Sequence, residues 1–249
     1  MTQAKPKIRL FVPAAYQEEQ DITLEKPQSH YLLHVMRAKL GDVISVFNGK
    51  DGVWLAEITH ADKKHAALTL KSQLLAHISS PDLWLAFAPI KNKTELVVEK
   101  ATELGVSHIF PVFTKHSVVT KVNMDKLSAR SIEAAEQCER HDVPAIDEGK
   151  NLSGLLAGWP EDRTLLFADE GGGGEALGNL PAGKYGVLIG PEGGFSREEQ
   201  DILRQSKKVK PFGMGPRILR ADTAAVAALS CVMAQCGDWQ HKPHFEAKA

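Results

Sequence analysis

The fold class is decided by residues 83–113, which read LWLAFAPIKNKTELVVEKATELGVSHIFPVF. Residues 83–88 are a compact apolar run, typical of a buried strand. Residues 92–95 have the spacing of a capping box, and apolar positions follow at helical spacing until Gly105 stops the helix. His108–Phe113 is a second apolar run. A strand, a helix and a strand of these lengths predict a βαβ unit, and hence a parallel sheet and an α/β fold.

The same alternation continues to the end of the chain. A second capping box at residues 196–199 opens a helix, and Asp222 is expected to cap the last one. The further strands are predicted at residues 163–168, 185–189 and 209–212, and the further helices at residues 124–140, 197–206 and 223–236.

The N-terminal part has a different pattern. Its apolar runs are short, and residues 48–52, NGKDG, supply the positive φ angles that a tight hairpin loop needs. Strands are predicted at residues 8–12, 43–47, 53–58 and 66–70, with one helix at residues 28–37. Short strands with hairpin turns favour a small barrel. Breaker residues at 79–82 predict a linker, so we expect one domain at residues 1–75 and another at residues 76–249.

Composition excludes several classes of protein. The 249 residues are 43% hydrophobic and 24% charged with a net charge of −1, which excludes general disorder and a uniformly basic surface. Three cysteines without a CxxC pair argue against a disulfide framework and a cysteine zinc site. His30 and His34 have no third ligand nearby in sequence, so no metal site is predicted. No signal peptide or membrane span is visible, and a cytoplasmic protein is expected.

Two loops between a predicted strand and a predicted helix could bind a ligand. Residues 190–196, GPEGGFS, lie where α/β sheets bind ligands, and their glycines permit close approach of the backbone. Glu192 disfavours a phosphate and suits a neutral or cationic ligand. By contrast, the glycine run at residues 171–174 lacks the lysine of a phosphate-binding loop and is interpreted as a connector.

The second loop, residues 214–223, carries Arg217 and Arg220 between turn and apolar residues. Six basic residues and no acidic ones occur from Arg204 to Arg220, which predicts a local positive patch in a nearly neutral chain.

Together these loops carry a resemblance to a known family. GPEGGFSREE at residues 190–199, followed by GPRILRADTA at residues 215–224, resembles the ribosomal RNA small subunit methyltransferase E family of the SPOUT methyltransferases. Residues 93–106 and 133–140 are similar to the first two helices of that family, and RLFV near the N-terminus fits its start. Met214 and the Ala-Asp pair at residues 221–222 depart mildly from the family pattern.

The resemblance implies a PUA-like β-barrel followed by a SPOUT α/β domain with a C-terminal deep trefoil knot. It implies S-adenosylmethionine as methyl donor, a homodimer, and N3 methylation of one uridine in 16S ribosomal RNA of the 30S subunit. General topology rules would reject a knot, so the family alone supplies that expectation.

The chemistry of the reaction indicates which residues act on the uridine, and the resemblance implies which residues bind the cofactor. Arg220 first and Arg217 second are the expected catalytic residues, since a guanidinium can stabilise charge that develops on the uracil ring. Glu192 and Asp222 are the nearest acidic candidates for a general base. The expected cofactor-binding residues are Phe167, Ala168, Ile189, Gly190, Pro191, Glu192, Met214, Gly215, Ile218, Leu219 and Thr223. Basic residues of the small domain that could grip RNA phosphates are Arg9, Arg37, Lys39, Lys63 and Lys64.

Two alternatives stay open from the sequence. A SPOUT methyltransferase could act on another RNA position, because the loops that bind the donor do not name the target. A non-catalytic RNA-binding protein would keep the basic residues but would not need loops that bind adenosine.

Overall fold

A computed structural model describes residues 6–62, 64–169, 171 and 173–242. The chain forms two compact units. The first comprises residues through Ser79 together with Ala135–Val143, and the second comprises Ser80–Ala134 and Pro144 onward. The return of residues 135–143 to the first unit was not part of the sequence prediction.

The first unit is a five-stranded sheet with one short helix. Its elements are β1 (Arg9–Phe11), β2 (Asp21–Thr23), α1 (Lys26–His30), β3 (Val43–Phe47), β4 (Val53–Ala61) and β5 (Ala66–Leu75). The strand order is β1-β3-β4-β5-β2, with β1 parallel to β3 and all other neighbours antiparallel. Alternate residues of β3, β4 and β5, such as Ile44, Ile58 and Leu68, are fully buried in its core. The helix continues through Tyr31–Val35 with π-helical hydrogen bonding.

The second unit alternates strands and helices. Its strands are β6 (Leu83–Phe87), β7 (His108–Phe113), β8 (Ala145–Ile146), β9 (Lys150–Asn151), β10 (Arg163–Ala168), β11 (Glu175–Ala176), β12 (Lys184–Ile189) and β13 (Val209–Gly213). Its helices are α2 (Thr94–Glu103), α3 (Met124–Cys138), α4 (Leu152–Ala157), α5 (Arg197–Gln205) and α6 (Ala221–Cys236). The last residues of α3, from Ala135, belong to the first unit.

The sheet of this unit is parallel throughout, as predicted. The strand order is β11-β13-β10-β12-β6-β7-β8, and β9 pairs with β7. Separate clusters of buried apolar residues, one around Leu85 and Val187 and the other around Ala86 and Leu188, pack along the strands. Because β13, β10 and β12 are neighbours, the loops at their carboxyl ends leave the sheet side by side.

Most predicted elements are confirmed to within a few residues, but two caps are wrong. Lys93 is the N-cap of α2 and its side chain makes no capping bond. Instead, the Thr94 hydroxyl donates to the Ile90 carbonyl at 2.9 Å. The N-cap of α6 is Arg220, which places Asp222 inside the first turn, where its side chain is engaged elsewhere.

Candidate functional site

The loops after β10, β12 and β13 surround a cavity of about 550 Å³. This volume is in the usual range for small-molecule sites. The predicted cofactor residues in its lining are Phe167, Ala168, Ile189, Gly190, Pro191, Glu192, Met214, Gly215, Ile218 and Leu219. Thr223 is not in the lining, because it lies on the exposed side of the first turn of α6, while Ala221 and Ala224 face the cavity.

One wall of the cavity is aromatic. The rings of Phe167 and Phe195 meet edge to face with centroids 5.2 Å apart, and both side chains are buried. A Cβ atom at Gly190 would lie 2.6 Å from the Phe195 ring, so a larger residue there would require the ring to move. The strand end, the turn and the ring therefore form one closely packed surface.

The second half of the loop after β12 is held by hydrogen bonds. Ser196 caps α5 through the predicted capping box, in which Ser196 N donates to Glu199 Oε2 at 2.8 Å. The other carboxylate oxygen of Glu199 accepts from Lys115 N at 2.9 Å. The His116 ring nitrogen Nδ1 lies 3.1 Å from the Gly193 carbonyl oxygen, to which it can donate. These contacts give the loop a fixed shape before any ligand binds.

The loop after β10 contains a cavity residue that the sequence analysis missed. The Asp169 side chain is 1% exposed, and its carboxylate accepts from Gly171 N at 2.9 Å and from Arg204 Nη2 at 3.1 Å. A Cβ at Gly174 would lie 2.5 Å from the backbone of Phe212. The glycine run is thus packed at this point rather than a simple connector. The sequence signal for Asp169 was its position directly after Phe167 and Ala168, which were expected to bind the cofactor.

The third loop brings both predicted arginines to the cavity. Arg217 and Arg220 contribute to its lining, both are exposed, and among the described residues neither forms an ion pair. Ile218, between them, is 84% exposed. Two other members of the predicted basic patch are paired: Arg204 with Asp169, and Lys208 with Glu161 at 2.8 Å. Of the remaining members of the patch, Arg217 and Arg220 bring positive charge to the cavity, whereas Lys207 and Lys210 are not part of its lining.

Asp222 lies next to this loop but is not a free carboxylate. Its Oδ2 is 2.6 Å from Lys93 Nζ, and neither residue lines the cavity. The hydrogen bond from Lys93 lowers the pKa of Asp222 below its ordinary value. A carboxylate with a lowered pKa is a weaker proton acceptor, which argues against Asp222 as general base.

The basic residues of the first unit fall into two groups. The Arg9 guanidinium donates to the Arg140 carbonyl at 2.7 Å and lies 4.2 Å from the Phe47 ring centroid, so Arg9 serves packing. Burial lowers its pKa. Arg37, Lys39 and Lys64 are exposed, whereas Lys63 lies outside the described residues. Arg37 has a φ of 55°, an unusual value for a long side chain, and follows the π-helical turn.

Two further properties concern metals and membranes. Within the described residues, no group of three or more histidine, cysteine, aspartate or glutamate side chains could hold a metal ion. The His30 and His34 ring centroids are 5.1 Å apart. No helix in the described part of the chain is long and apolar enough to cross a bilayer.

Two family models match the chain. Residues 78–233 match the model described as an RNA methyltransferase domain, and residues 24–71 match that of an RNA methyltransferase PUA domain. The parallel sheet with its cavity and the small sheet before it are therefore those of an RNA methyltransferase with a PUA-like domain.

Comparison with individual relatives makes the family assignment more specific. The chain is 33% identical over 231 residues to the ribosomal RNA small subunit methyltransferase E of Rickettsia conorii, covering 90% of this chain and 94% of that protein. A methyltransferase from Legionella pneumophila, solved with bound S-adenosylmethionine, is 30% identical with a TM-score of 0.83, over 93% of this chain and 98% of that one. The chain belongs to the ribosomal RNA small subunit methyltransferase E family, as its two glycine-containing loops predicted.

The fold is shared with a second solved structure. The ribosomal RNA small subunit methyltransferase E of Neisseria gonorrhoeae, also bound to S-adenosylmethionine, is 24% identical with a TM-score of 0.85, over 93% of this chain and 99% of that chain.

Proposed function

We propose that this protein transfers the methyl group of S-adenosylmethionine to N3 of one uridine in 16S ribosomal RNA of the 30S subunit. The observation that carries the proposal is the convergence of three loops on one cavity with two exposed arginines in its lining. Family membership supports the reaction class. The proposal adds the target atom, which the relatives' names do not state.

The cavity suits the donor in size and chemistry. Its lining combines apolar side chains, such as Phe167, Ile189 and Leu219, with the backbone of Gly190 and Gly215. Apolar surfaces can cover the adenine, and backbone groups can hydrogen-bond its edge. The donor carries a sulfonium cation and no phosphate, so Glu192 in the lining is compatible with it. When bound, it supplies an electrophilic methyl group.

The two arginines can activate the acceptor. Uridine N3 carries a proton, and its removal places negative charge on O2 and O4. A guanidinium beside these oxygens stabilises that charge and lowers the pKa of N3. Arg220 is the first candidate because it is the N-cap of α6, a structured position, while Arg217 lies in the exposed loop. Glu192 lines the cavity, whereas Asp222 is held by Lys93, so Glu192 is the better candidate to accept the proton.

The first unit is proposed to bind RNA through Arg37, Lys39 and Lys64, which are exposed. Arg9 is omitted from this role because its guanidinium is occupied by Arg140 and Phe47. Phosphate contacts of this kind position an RNA without selecting its sequence. The target base must leave its stack to reach the cavity.

Two family properties complete the proposal: a deep trefoil knot in the C-terminal segment, and a homodimer. The exposed side of α6 supports the dimer, because Val226 is 38% exposed there among small residues such as Ala227 and Ser230. A helix that is apolar on more than one face favours burial on each of them. Sedimentation at micromolar concentration tests the dimer, which a stable monomer would contradict.

To test the reaction, the purified protein is incubated with radiolabelled S-adenosylmethionine and 30S subunits from cells lacking the protein. We expect one labelled methyl group per subunit, recovered after digestion as N3-methyluridine. Label in another nucleoside would support methyl transfer but show that uridine N3 is not the target. Absence of label would reject the proposed function.

A further inference from the structure

One ion pair ties the beginning of α6 to the loop after β6. Lys93 Nζ lies 2.6 Å from Asp222 Oδ2, and the two side chains are 34% and 20% exposed. Arg220, the proposed catalytic residue, stands two residues before Asp222 and is the N-cap of the same helix. The pair therefore fixes the element on which Arg220 is mounted, without touching the cavity itself.

Lys93 occupies a position that its own helix does not favour. It is the N-cap of α2, where the helix dipole favours an acidic group and disfavours a cation. The turn before it is closely defined, because Thr94 Oγ1 both accepts from Ile90 N at 3.0 Å and donates to the Ile90 carbonyl. Asn92, within this turn, has a φ of 61°. The Lys93 ammonium at this helix N-terminus reaches across to Asp222, which supplies the negative charge that its own helix does not.

Asp222 is the acidic residue nearest to Arg220 in sequence. Without Lys93, its carboxylate can pair with the Arg220 guanidinium. Arginine and a carboxylate form strong charge-assisted hydrogen bonds, often through two N–H groups. A guanidinium paired in this way is less available to charge on a substrate. Among the described residues Arg220 forms no ion pair, while Asp222 is paired with Lys93.

We infer that Lys93 is a positioning residue for methyl transfer, which engages Asp222 and so keeps this carboxylate from pairing with Arg220. The inference rests on the proposed function, since it assigns Lys93 a task only if Arg220 acts on the uridine. It predicts that the methyl-transfer rate lost in Lys93→Met is restored when Asp222→Asn removes the carboxylate.

The test compares Lys93→Met, Asp222→Asn and the double variant in single-turnover methyl transfer at saturating S-adenosylmethionine. Lys93→Met should slow transfer about tenfold or more, as for other coupled pairs. Asp222→Asn and the double variant should stay within about threefold of the wild type, because neither leaves a free carboxylate beside Arg220. Donor affinity, measured by calorimetry, should be unchanged in all three. The matched control is Lys184→Met, which breaks an exposed pair with Asp162 at 2.7 Å, at the amino ends of β12 and β10.

A double variant as slow as Lys93→Met would overturn the inference, because a purely structural or direct role of Lys93 is not repaired by Asp222→Asn. The second measurement is the exchange of the Arg220 Nε proton by NMR, without RNA. It should slow in Lys93→Met, where Asp222 captures the guanidinium, and return to the wild-type rate in the double variant. Equal exchange in all variants would also overturn the inference. If the wild type transfers no methyl group, the proposed function fails, and the NMR result still decides whether Lys93 controls the pairing of Arg220.

Discussion

The Phe195 ring packs against the backbone of Gly190 so closely that a Cβ atom there would lie 2.6 Å from the ring. Phe195 in turn meets Phe167 edge to face across 5.2 Å. The turn after β12 is thus joined to the end of β10 through one aromatic ring. This arrangement forms the wall of the cavity and makes its shape sensitive to a single methyl group.

We therefore expect Gly190→Ala to weaken S-adenosylmethionine binding about tenfold or more, because the added methyl group displaces Phe195 and overpacking of this kind costs about 1–3 kcal/mol. Calorimetry measures the affinity. The control is Gly178→Ala, where an added Cβ meets no atom within 4 Å. Equal affinity for wild type and Gly190→Ala would show that the ring does not shape the donor site.

Arg220→Ala should reduce methyl transfer far more than donor binding. A guanidinium that acts on charge developing on the uracil ring contributes most in the transition state, and loss of one such donor costs about 10²–10³ in rate. Arg220→Lys should recover only part, because an ammonium lacks the planar fork. Single-turnover rates and donor titrations on the same variants separate the effects. Full recovery at saturating donor would assign Arg220 to the donor instead.

Two arginines of the first unit should behave differently. Arg37→Ala should weaken RNA binding and reduce its salt dependence, because an exposed phosphate contact is lost. Arg9→Ala should instead lower thermal stability, because its guanidinium packs on Phe47 and donates to Arg140. Filter binding at several salt concentrations and thermal unfolding of both variants distinguish these roles. Normal stability of Arg9→Ala together with weaker RNA binding would reverse the assignment.

The Lys93–Asp222 pair also predicts a pH dependence. The pKa of Asp222 is lowered in the folded protein, so the stabilisation by the pair is fully present above the ordinary aspartate pKa of about 4. It is lost as the pH falls through the lowered pKa. The difference in urea unfolding free energy between wild type and Lys93→Met should therefore shrink between pH 7 and pH 3. A difference that is constant across this range would mean that the pair contributes nothing through charge.

Local patterns predicted most of the fold because they act over a few residues. The apolar run of His108–Phe113 and the capping box of Ser196 and Glu199 appear where the sequence places them. The boundary between the units depends on contacts between residues distant in sequence, and its prediction was incomplete. Ala135, on α3, packs with Phe47 and Val53 of the first unit, a contact that no breaker cluster signals. The prediction that Asp222 caps α6 was wrong for the same reason, because Lys93, which is distant in sequence, pairs with its side chain.

Recognisable glycines and prolines directed the prediction to residues 190–196 and 214–220, and both loops contribute to the lining of the cavity. Asp169 was missed because its role depends on Arg204, which pairs with it across 35 positions of sequence. Thr223 was expected in the site from the family resemblance alone. In the structure α6 begins at Ala221, so that Thr223 is exposed while Ala224 lines the cavity.

The central claim is that the protein methylates N3 of one uridine in 16S ribosomal RNA. The most direct measurement is mass spectrometry of nucleosides from 16S ribosomal RNA of cells with and without the gene. We predict that one N3-methyluridine per RNA disappears with the gene, returns with the wild-type copy and stays absent with Arg220→Ala. An unchanged amount of N3-methyluridine in cells without the gene would contradict the account.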